Sequence, residues 1–269
     1  MKEKRVKIRR KKGGVRRIKR DDLKKGIYIL PNLITTMALF AGFFSIISSI
    51  NERYEHAVWA LIFAAVFDGL DGKVARFTKT ESEFGVQYDS LSDLVSFGVA
   101  PAILVYQWAL TPYARLGWLG AALYVVCAAL RLARFNIQIT TVEKSVFNGL
   151  PSPPSALMLA TTVLFFNEME IPLETYRPYI LGLVYFLAFL MISNVKYSSF
   201  KELEVARRRP INILLLLILI LILIAIKPEI MLFAIVAFFV LSGIVNLLFK
   251  SLTRKRGEQV SEVQVKEER

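Results

Sequence analysis

The sequence predicts an all-α, polytopic membrane protein, built as a six-helix core followed by a C-terminal two-helix hairpin. Three observations predict this fold. The chain of 269 residues is 55% hydrophobic and has a mean hydropathy of +0.47. Its apolar runs approach the roughly 20 residues that a helix needs to cross a bilayer, and they are too numerous for one soluble core. Lysine and arginine are concentrated in every second link between the runs, as in cytoplasmic loops.

Eight membrane helices are predicted in order. They cover residues 27–50, 57–77, 88–110, 116–135, 155–167, 178–194, 211–226 and 230–249. Pro31 and Asn32 fit the start of the first helix. A polar loop before the fifth helix closes with Phe-Asn-Gly-Leu-Pro-Ser-Pro-Pro at 147–154, where Gly149 and the prolines are typical of a turn and a helix start.

The charge pattern predicts a division into four parts and their orientation. The parts are a basic cytoplasmic tail at 1–26, the six-helix core at 27–195, a loop with the hairpin at 196–250, and a charged cytoplasmic tail at 251–269. With both termini in the cytosol, the basic links all fall inside. The first tail is too long and too charged for a cleavable signal peptide. The net charge of the whole chain, +13, would by itself suggest binding to nucleic acid, but the placement of the basic residues in this tail indicates attraction to anionic lipids. RNA binding is the alternative, and we expect no nucleic acid partner.

Four aspartates lie at the ends of two neighbouring apolar runs. Asp68 and Asp71 are three residues apart, and Asp89 and Asp93 are four apart, so each pair shares one helix face. If the two helices are neighbours, the four carboxylates converge at the cytoplasmic end of the bundle. A divalent cation is the natural counter-charge, and carboxylate oxygens suit Mg²⁺, Mn²⁺ or Ca²⁺. The alternative is ordinary polar residues facing water, although one aspartate deep in a membrane helix costs roughly 2.5 to 3.5 kcal/mol.

Other chemistry is narrowly limited by composition. Cys127 is the single cysteine and His56 the single histidine, so neither a disulfide framework nor a thiolate metal site is expected. Acid–base chemistry therefore falls to carboxylates, Lys, Tyr or Arg. Next to the first aspartate pair, Gly72 and Ala75 form a face without bulk, and Arg76 continues it with a guanidinium suited to phosphate. A diphosphate ligand would complete the charge balance.

These residues together resemble a known family. The pattern D-x2-D-G-x2-A-R-x8-G-x3-D-x3-D is similar to the signature of the CDP-alcohol phosphatidyltransferases, and the resemblance covers roughly residues 27 to 195. Its eight positions here are Asp68, Asp71, Gly72, Ala75, Arg76, Gly85, Asp89 and Asp93.

The resemblance implies specific roles. It implies a two-metal site with Mg²⁺ or Mn²⁺, in which Asp68, Asp71 and Asp89 hold the metals and Asp93 contacts one of them while acting as general base. It implies that the CDP part of CDP-diacylglycerol is bound by residues on the first helix, at the end of the second helix and in the link that follows it, with membrane lipids around them and a homodimer as the assembly. The implied CDP-binding residues are Asn32, Thr35, Gly72, Ala75, Arg76, Ser82 and Gly85.

The acceptor alcohol is indicated by two further segments. Arg-Leu-Ala-Arg-Phe-Asn at 131–136 and the segment at 147–154 look like those of the phosphatidylserine synthase branch of the family. The resemblance therefore implies L-serine as acceptor, with its carboxylate beside Arg131 or Arg134 and with Asn136 nearby. The arginines could instead serve only as positive-inside anchors.

Several other functions stay open at this stage. Rival acceptors are glycerol 3-phosphate, inositol phosphate and choline, and the donor could be an archaeal ether lipid. An ion-coupled transporter also carries acids inside the membrane, but transporters tend to have repeated halves with sites near the midplane. A structural membrane protein has no need of four carboxylates.

Overall fold

The computed structural model describes most of the predicted core and one helix beyond it. The described residues are 20–78, 82–141, 147–197, 218, 222–223 and 225–245. Most of the basic tail, the whole C-terminal tail and most of the first helix of the predicted hairpin lie outside them.

Eight α-helices and one short strand pair occur among the described residues. The helices are α1 (Arg20–Ile50), α2 (Tyr54–Thr78), α3 (Glu83–Asp93), α4 (Ala100–Val105), α5 (Ala114–Thr141), α6 (Ser152–Glu168), α7 (Leu173–Ile192) and α8 (Pro228–Val245), and the strands are β1 (Phe147–Asn148) and β2 (Lys196–Tyr197). Two π-helical segments, at Leu94–Val99 and Tyr106–Leu110, join α3 to α4 and continue α4. The third predicted helix is thus a composite of α and π segments.

The predicted helices that fall within the described residues are present, but several of their boundaries move outwards. The first begins at Arg20 and the fourth ends at Thr141. The third begins at Glu83 because the Ser82 side chain caps it, accepting a hydrogen bond from the Gly85 N–H. The second begins at Tyr54 and so includes His56, which precedes its predicted start at residue 57.

Four described stretches are long and apolar enough to cross a bilayer. They are Leu30–Ile50, Glu83–Ile137, Leu173–Ile192 and Pro228–Val245. Helix α2 is not among them because acidic and basic side chains occupy its second half, and α6 has only 17 residues. The chain is a multi-pass, all-α membrane protein, which confirms the predicted fold class.

The stretch Glu83–Ile137 is 55 residues long and folds back on itself. A 3₁₀ turn at Thr111–Tyr113 and a positive φ of 44° at Ala114 reverse the chain. Just beyond it, a side chain at Gly117 would lie 2.3 Å from the Leu110 carbonyl oxygen, so the two arms approach closely. The predicted third and fourth spans are the two arms of this hairpin.

The segment before α6, expected to be a loop, is fixed to the end of α7. Strand β1 pairs antiparallel with β2, with Phe147 opposite Tyr197. Gly149 has a φ of 87°, and its N–H donates to the Val195 carbonyl oxygen at 2.8 Å. A Cβ there would lie 2.3 Å from the Met191 carbonyl oxygen, which leaves room only for glycine.

Helix α8 packs on this same corner. The Tyr197 hydroxyl donates to the Val240 carbonyl oxygen at 3.2 Å, and a Cβ at Gly243 would lie 2.2 Å from the Tyr197 ring. Phe233 stacks on Phe165 of α6 with ring centroids 4.5 Å apart. Helix α8 therefore packs against the strand pair through Tyr197.

The contact at Gly243 gives a stability prediction. Tyr197 is 2% exposed and held by its hydroxyl, so its ring has little freedom to retreat. Gly243→Ala should therefore destabilise the protein by about 1–3 kcal/mol through overpacking. We expect a lower melting temperature in detergent.

Gly182→Ala is the matched control, because nothing lies within 4 Å of a Cβ at that position in α7. In a helix this change should be neutral or stabilising. Equal melting temperatures for the two variants would contradict the docking of α8 on Tyr197.

Candidate active site

Aspartates from two helices meet in one cluster at the C-terminal end of α2. Asp68 and Asp71 lie on α2, and Asp89 lies in the second half of α3. One carboxylate oxygen from each of these three residues lies within 4.8 Å of the other two. The spacing along each helix and the pairing of the helices produce this convergence together.

Asp93 lies beside the cluster, at the last residue of α3. Its carboxyl group is in hydrogen-bonding contact with that of Asp68. Two ionised carboxylates within hydrogen-bonding distance repel each other unless they share a proton or a cation. The π-helical segment begins at the next residue, and such segments are frequent at functional sites.

Helix α1 supports both pairs through hydrogen bonds. The Thr35 hydroxyl donates to Asp71 Oδ2 at 2.6 Å. The Ser92 hydroxyl donates to the Thr35 carbonyl oxygen at 3.2 Å, and the Ser96 hydroxyl donates to the Ala38 carbonyl oxygen at 3.1 Å. A Cβ at Gly42 would lie 2.7 Å from the Ser96 Cα, so α1 and the π segment are in direct backbone contact.

The cluster fits a hard divalent cation. Asp89 Oδ1 is buried without a hydrogen-bond partner. In the described part of the chain, no lysine or arginine forms an ion pair with any of the four aspartates. An all-oxygen donor set with a buried, unsatisfied carboxylate oxygen is suited to Mg²⁺, Mn²⁺ or Ca²⁺.

A second group of predicted residues meets near the start of α3. Ser82 accepts a hydrogen bond from the Gly85 N–H at 3.0 Å, and a Cβ at Gly85 would lie 3.3 Å from Asn32 Oδ1 on α1. Beside them, the Tyr88 and Thr36 hydroxyls are hydrogen-bonded at 2.9 Å. Asn32, Ser82 and Gly85 are thus brought together.

Three other predicted CDP-binding positions lie on the open side of α2. Gly72 is exposed, and a Cβ there would meet nothing within 4 Å. Arg76 is also exposed, and its Nε donates to the Gly72 carbonyl oxygen at 2.9 Å. Ala75 lies between them and is half-buried. This surface leaves the α2 backbone accessible next to Asp71.

The three predicted acceptor-side residues have different surroundings. Arg131 lies close enough to Asp93 to interact with it electrostatically, and its Nε is buried without a partner. Arg134 instead donates to Asn194 Oδ1 at 2.9 Å and to the Ile192 carbonyl oxygen at 3.5 Å. Asn136 is hydrogen-bonded to Ser90 on α3, with Nδ2 and Oγ 3.0 Å apart.

Several supporting residues escaped the sequence prediction. Ser92 and Ser96 are four residues apart in an apolar run, on the same helix face as Asp89 and Asp93. That spacing was a usable signal. By contrast, the contacts of Ser90 with Asn136 and of Asn194 with Arg134 join segments separated by 46 and 60 residues, which helical periodicity does not reveal.

Comparison with known proteins decides the family. A family model described as CDP-alcohol phosphatidyltransferase matches residues 28–190. The chain belongs to this family. All predicted site residues lie within the matched range, whereas β2 and α8 follow it.

Curated relatives agree with the family model. A CDP-diacylglycerol–serine O-phosphatidyltransferase from Helicobacter pylori is 34% identical over 83% of this chain and 92% of that protein. An archaetidylserine synthase from Methanothermobacter thermautotrophicus is 37% identical over 62% of this chain and 69% of that protein. A CDP-diacylglycerol–serine O-phosphatidyltransferase from Mycobacterium leprae is 39% identical over 49% of this chain and 45% of that protein. Membership of this phosphatidyltransferase family argues against the two alternatives from other classes, an ion-coupled transporter and a structural membrane protein.

Proposed function

We propose that this protein transfers a phosphatidyl group from CDP-diacylglycerol to the hydroxyl of L-serine, forming phosphatidylserine and CMP. The observation that carries the proposal is the cluster of three aspartates, with Asp93 and the half-buried Arg131 at its edge. The cluster provides the anionic site that a metal-assisted phosphoryl transfer needs. The arginine adds a cation where a carboxylate-bearing alcohol would enter.

The relatives support serine as the acceptor more strongly than they support one lipid donor. Both the bacterial relatives and the archaeal relative have serine in their names, whereas the archaeal name indicates an archaetidyl lipid. A CDP-activated ether lipid is therefore the second candidate donor. Glycerol 3-phosphate and inositol phosphate, as phosphorylated acceptors, would call for more cations than Arg131 supplies.

The aspartates are assigned to metal binding. Asp68, Asp71 and Asp89 would hold Mg²⁺ or Mn²⁺ in the two-metal arrangement that the family resemblance implies, with Asp93 in contact with one metal. When bound, the metal neutralises charge on the phosphates of the donor and on the departing CMP. The buried, unpartnered Asp89 Oδ1 is the feature that favours this assignment.

The CDP end of the donor is assigned to the two surfaces that flank the aspartates. Asn32, Ser82 and Gly85 lie together at the start of α3, and Gly72, Ala75 and Arg76 form the accessible face of α2. A guanidinium is suited to bind phosphate oxygens in pairs. The resemblance adds Thr35 to this set, although its hydroxyl is already bonded to Asp71.

The reaction requires one bond exchange and one proton transfer. The serine hydroxyl oxygen attacks the phosphorus that bears the diacylglycerol, and the bond from that phosphorus to the CMP oxygen breaks. CMP leaves as the anion, and Asp93 accepts the hydroxyl proton. Arg131 would pair with the serine carboxylate and so place the hydroxyl near Asp93. Arg134 and Asn136 are assigned to the same acceptor side, through their bonds to α7 and α3.

Orientation and assembly complete the proposal. The active site and both termini are assigned to the cytosol, because the basic links alternate with acidic ones along the chain. We assign the catalytic core to residues 27–195, between the basic tail at 1–26 and the loop, hairpin and charged tail at 196–269. The family resemblance further implies a homodimer, which light scattering of the detergent-solubilised protein would test.

An acceptor screen tests the function directly. Purified protein receives CDP-diacylglycerol, Mn²⁺ or Mg²⁺ and one alcohol at a time, and CMP release is followed. We expect release with L-serine and little with glycerol 3-phosphate, inositol phosphate or choline. Ethanolamine is the matched control, because it keeps the amine and hydroxyl of serine but lacks the carboxylate that Arg131 would bind.

Arg131→Ala should raise the KM for serine, with less effect on the KM for CDP-diacylglycerol. Preferred use of another acceptor would refute the serine assignment, and equal use of ethanolamine would remove the role given to Arg131.

The proton-acceptor role predicts a specific kinetic effect. Asp93→Asn keeps the size of the side chain and removes its ability to take a proton. We expect kcat to fall by about 10²- to 10⁴-fold, because a positioned base contributes that range. The KM for CDP-diacylglycerol should change much less. Turnover by Asp93→Asn at the wild-type kcat would require another base.

Orientation is testable by cysteine labelling. In a Cys127→Ala background, single cysteines are placed in the link 169–172 and in the C-terminal tail, and membrane-impermeant reagents are applied to intact cells. Labelling of the link alone is the predicted pattern. If intact cells expose the tail and protect the link, the active site faces the opposite side.

A further inference from the structure

We propose that Thr35 is a positioning residue for both aspartate pairs, and that it does not act as a nucleotide contact. Its hydroxyl orients the Asp71 carboxylate, while its carbonyl oxygen anchors α3 through Ser92. This inference rests on the proposed metal-dependent function. It assigns a different task to a residue that the family resemblance places at the CDP.

The Thr35 hydroxyl can donate its hydrogen to only one of the two acceptors beside it. Thr35 is 4% exposed, and its Oγ1 lies 2.6 Å from Asp71 Oδ2 and 3.1 Å from the Pro31 carbonyl oxygen. A hydroxyl has one hydrogen to donate. The shorter contact, to a charged acceptor, has the length of a charge-assisted hydrogen bond. The hydrogen is therefore committed to Asp71.

The hydrogen bond from Thr35 fixes the orientation of the Asp71 carboxylate. Asp71 is 5% exposed and contributes an oxygen to the three-aspartate cluster. The terminal torsion of an aspartate is broad, so an unsupported carboxylate samples many orientations. A bond to one oxygen selects an orientation and leaves the second oxygen to a cation. Such supporting hydrogen bonds to metal ligands raise metal affinity.

Helix α3 is anchored to α1 at the Thr35 carbonyl oxygen. Ser92 is 2% exposed and lies between Asp89 and Asp93 on the same helix face. Its hydroxyl donates to the carbonyl oxygen of Thr35, which has a second lone pair beyond its helical hydrogen bond. This bond fixes the position of α3 along the axis of α1. It thereby fixes the position of both α3 aspartates relative to Asp71. One residue of α1 thus serves both pairs.

The neighbouring hydrogen bonds of α1 join it to groups other than the aspartates. Thr36 bonds the Tyr88 hydroxyl, and Ser96 bonds the Ala38 carbonyl oxygen one turn further along α1. Among the hydrogen bonds of the described residues, that of Thr35 is the one that joins α1 to an aspartate side chain. Asp71 on α2 and the anchor of α3 therefore depend on the same residue.

The test measures metal binding apart from catalysis. Full-length protein in detergent, without substrate, is titrated with Mn²⁺ and free Mn²⁺ is followed by electron paramagnetic resonance. Thr35→Val removes the hydroxyl at nearly constant shape and should weaken Mn²⁺ affinity about 10- to 100-fold. Thr35→Ser keeps the hydroxyl and should stay within about threefold of wild type.

Thr162→Val is the matched control, because Thr162 is 5% exposed and its hydroxyl donates at 2.6 Å to the Met158 carbonyl oxygen within its own helix. It should bind Mn²⁺ as wild type does. Ser92→Ala leaves the Thr35 hydroxyl in place and should also weaken binding. This variant carries the test if Thr35→Val does not fold.

The outcomes separate the two levels of the proposal. Wild-type Mn²⁺ affinity in Thr35→Val, together with a higher KM for CDP-diacylglycerol, would overturn the positioning role and restore the nucleotide contact. The positioning role is also overturned if Ser92→Ala binds Mn²⁺ unchanged. If wild-type protein binds no Mn²⁺, the proposed metal function fails as well, and the variants are not needed to see it.

Discussion

The mutual repulsion of aspartates inside a membrane helix bundle is the constraint on which the rest of the structure depends. Two unit charges at the 4.8 Å limit of the cluster repel by about 3 kcal/mol at an effective dielectric constant of about 20. Two of the three pairs join Asp89 on α3 to Asp68 and Asp71 on α2, and their repulsion would force the two helices apart unless a cation or shared protons offset it. The bundle therefore has to hold these helices together by other contacts while it leaves the carboxylate oxygens available.

Helix α1 provides those contacts. The hydrogen bonds of Ser92 and Ser96 to its backbone, and the close approach at Gly42, hold the α3 side, while Thr35 bonds directly to Asp71. The same helix thus contributes to stability and to the geometry of the site. The buried hydroxyls of Thr35, Ser92 and Ser96 replace the water that would otherwise solvate these polar groups.

Helical periodicity explains which features were predictable. The three- and four-residue spacing of the aspartates is enough to place them on shared faces, and Pro and Gly in the segment 147–154 are enough for a turn. The pairing of β1 with β2, the bond from Arg134 to Asn194 and the docking of α8 on Tyr197 depend on contacts between distant segments. No local pattern encodes those partners. The π-helical break after Asp93 was likewise not predictable, since its residues look like an ordinary apolar run.

Direct binding of a divalent cation to the aspartate cluster tests the central claim. Isothermal titration of the purified protein with Mn²⁺ is compared for wild type, Asp89→Asn and the control Glu83→Gln, whose side chain is exposed on the same helix. The structure predicts saturable, EDTA-reversible binding in wild type and Glu83→Gln, and its loss in Asp89→Asn. Equal binding by all three proteins, or none by wild type, would contradict a metal site at these aspartates.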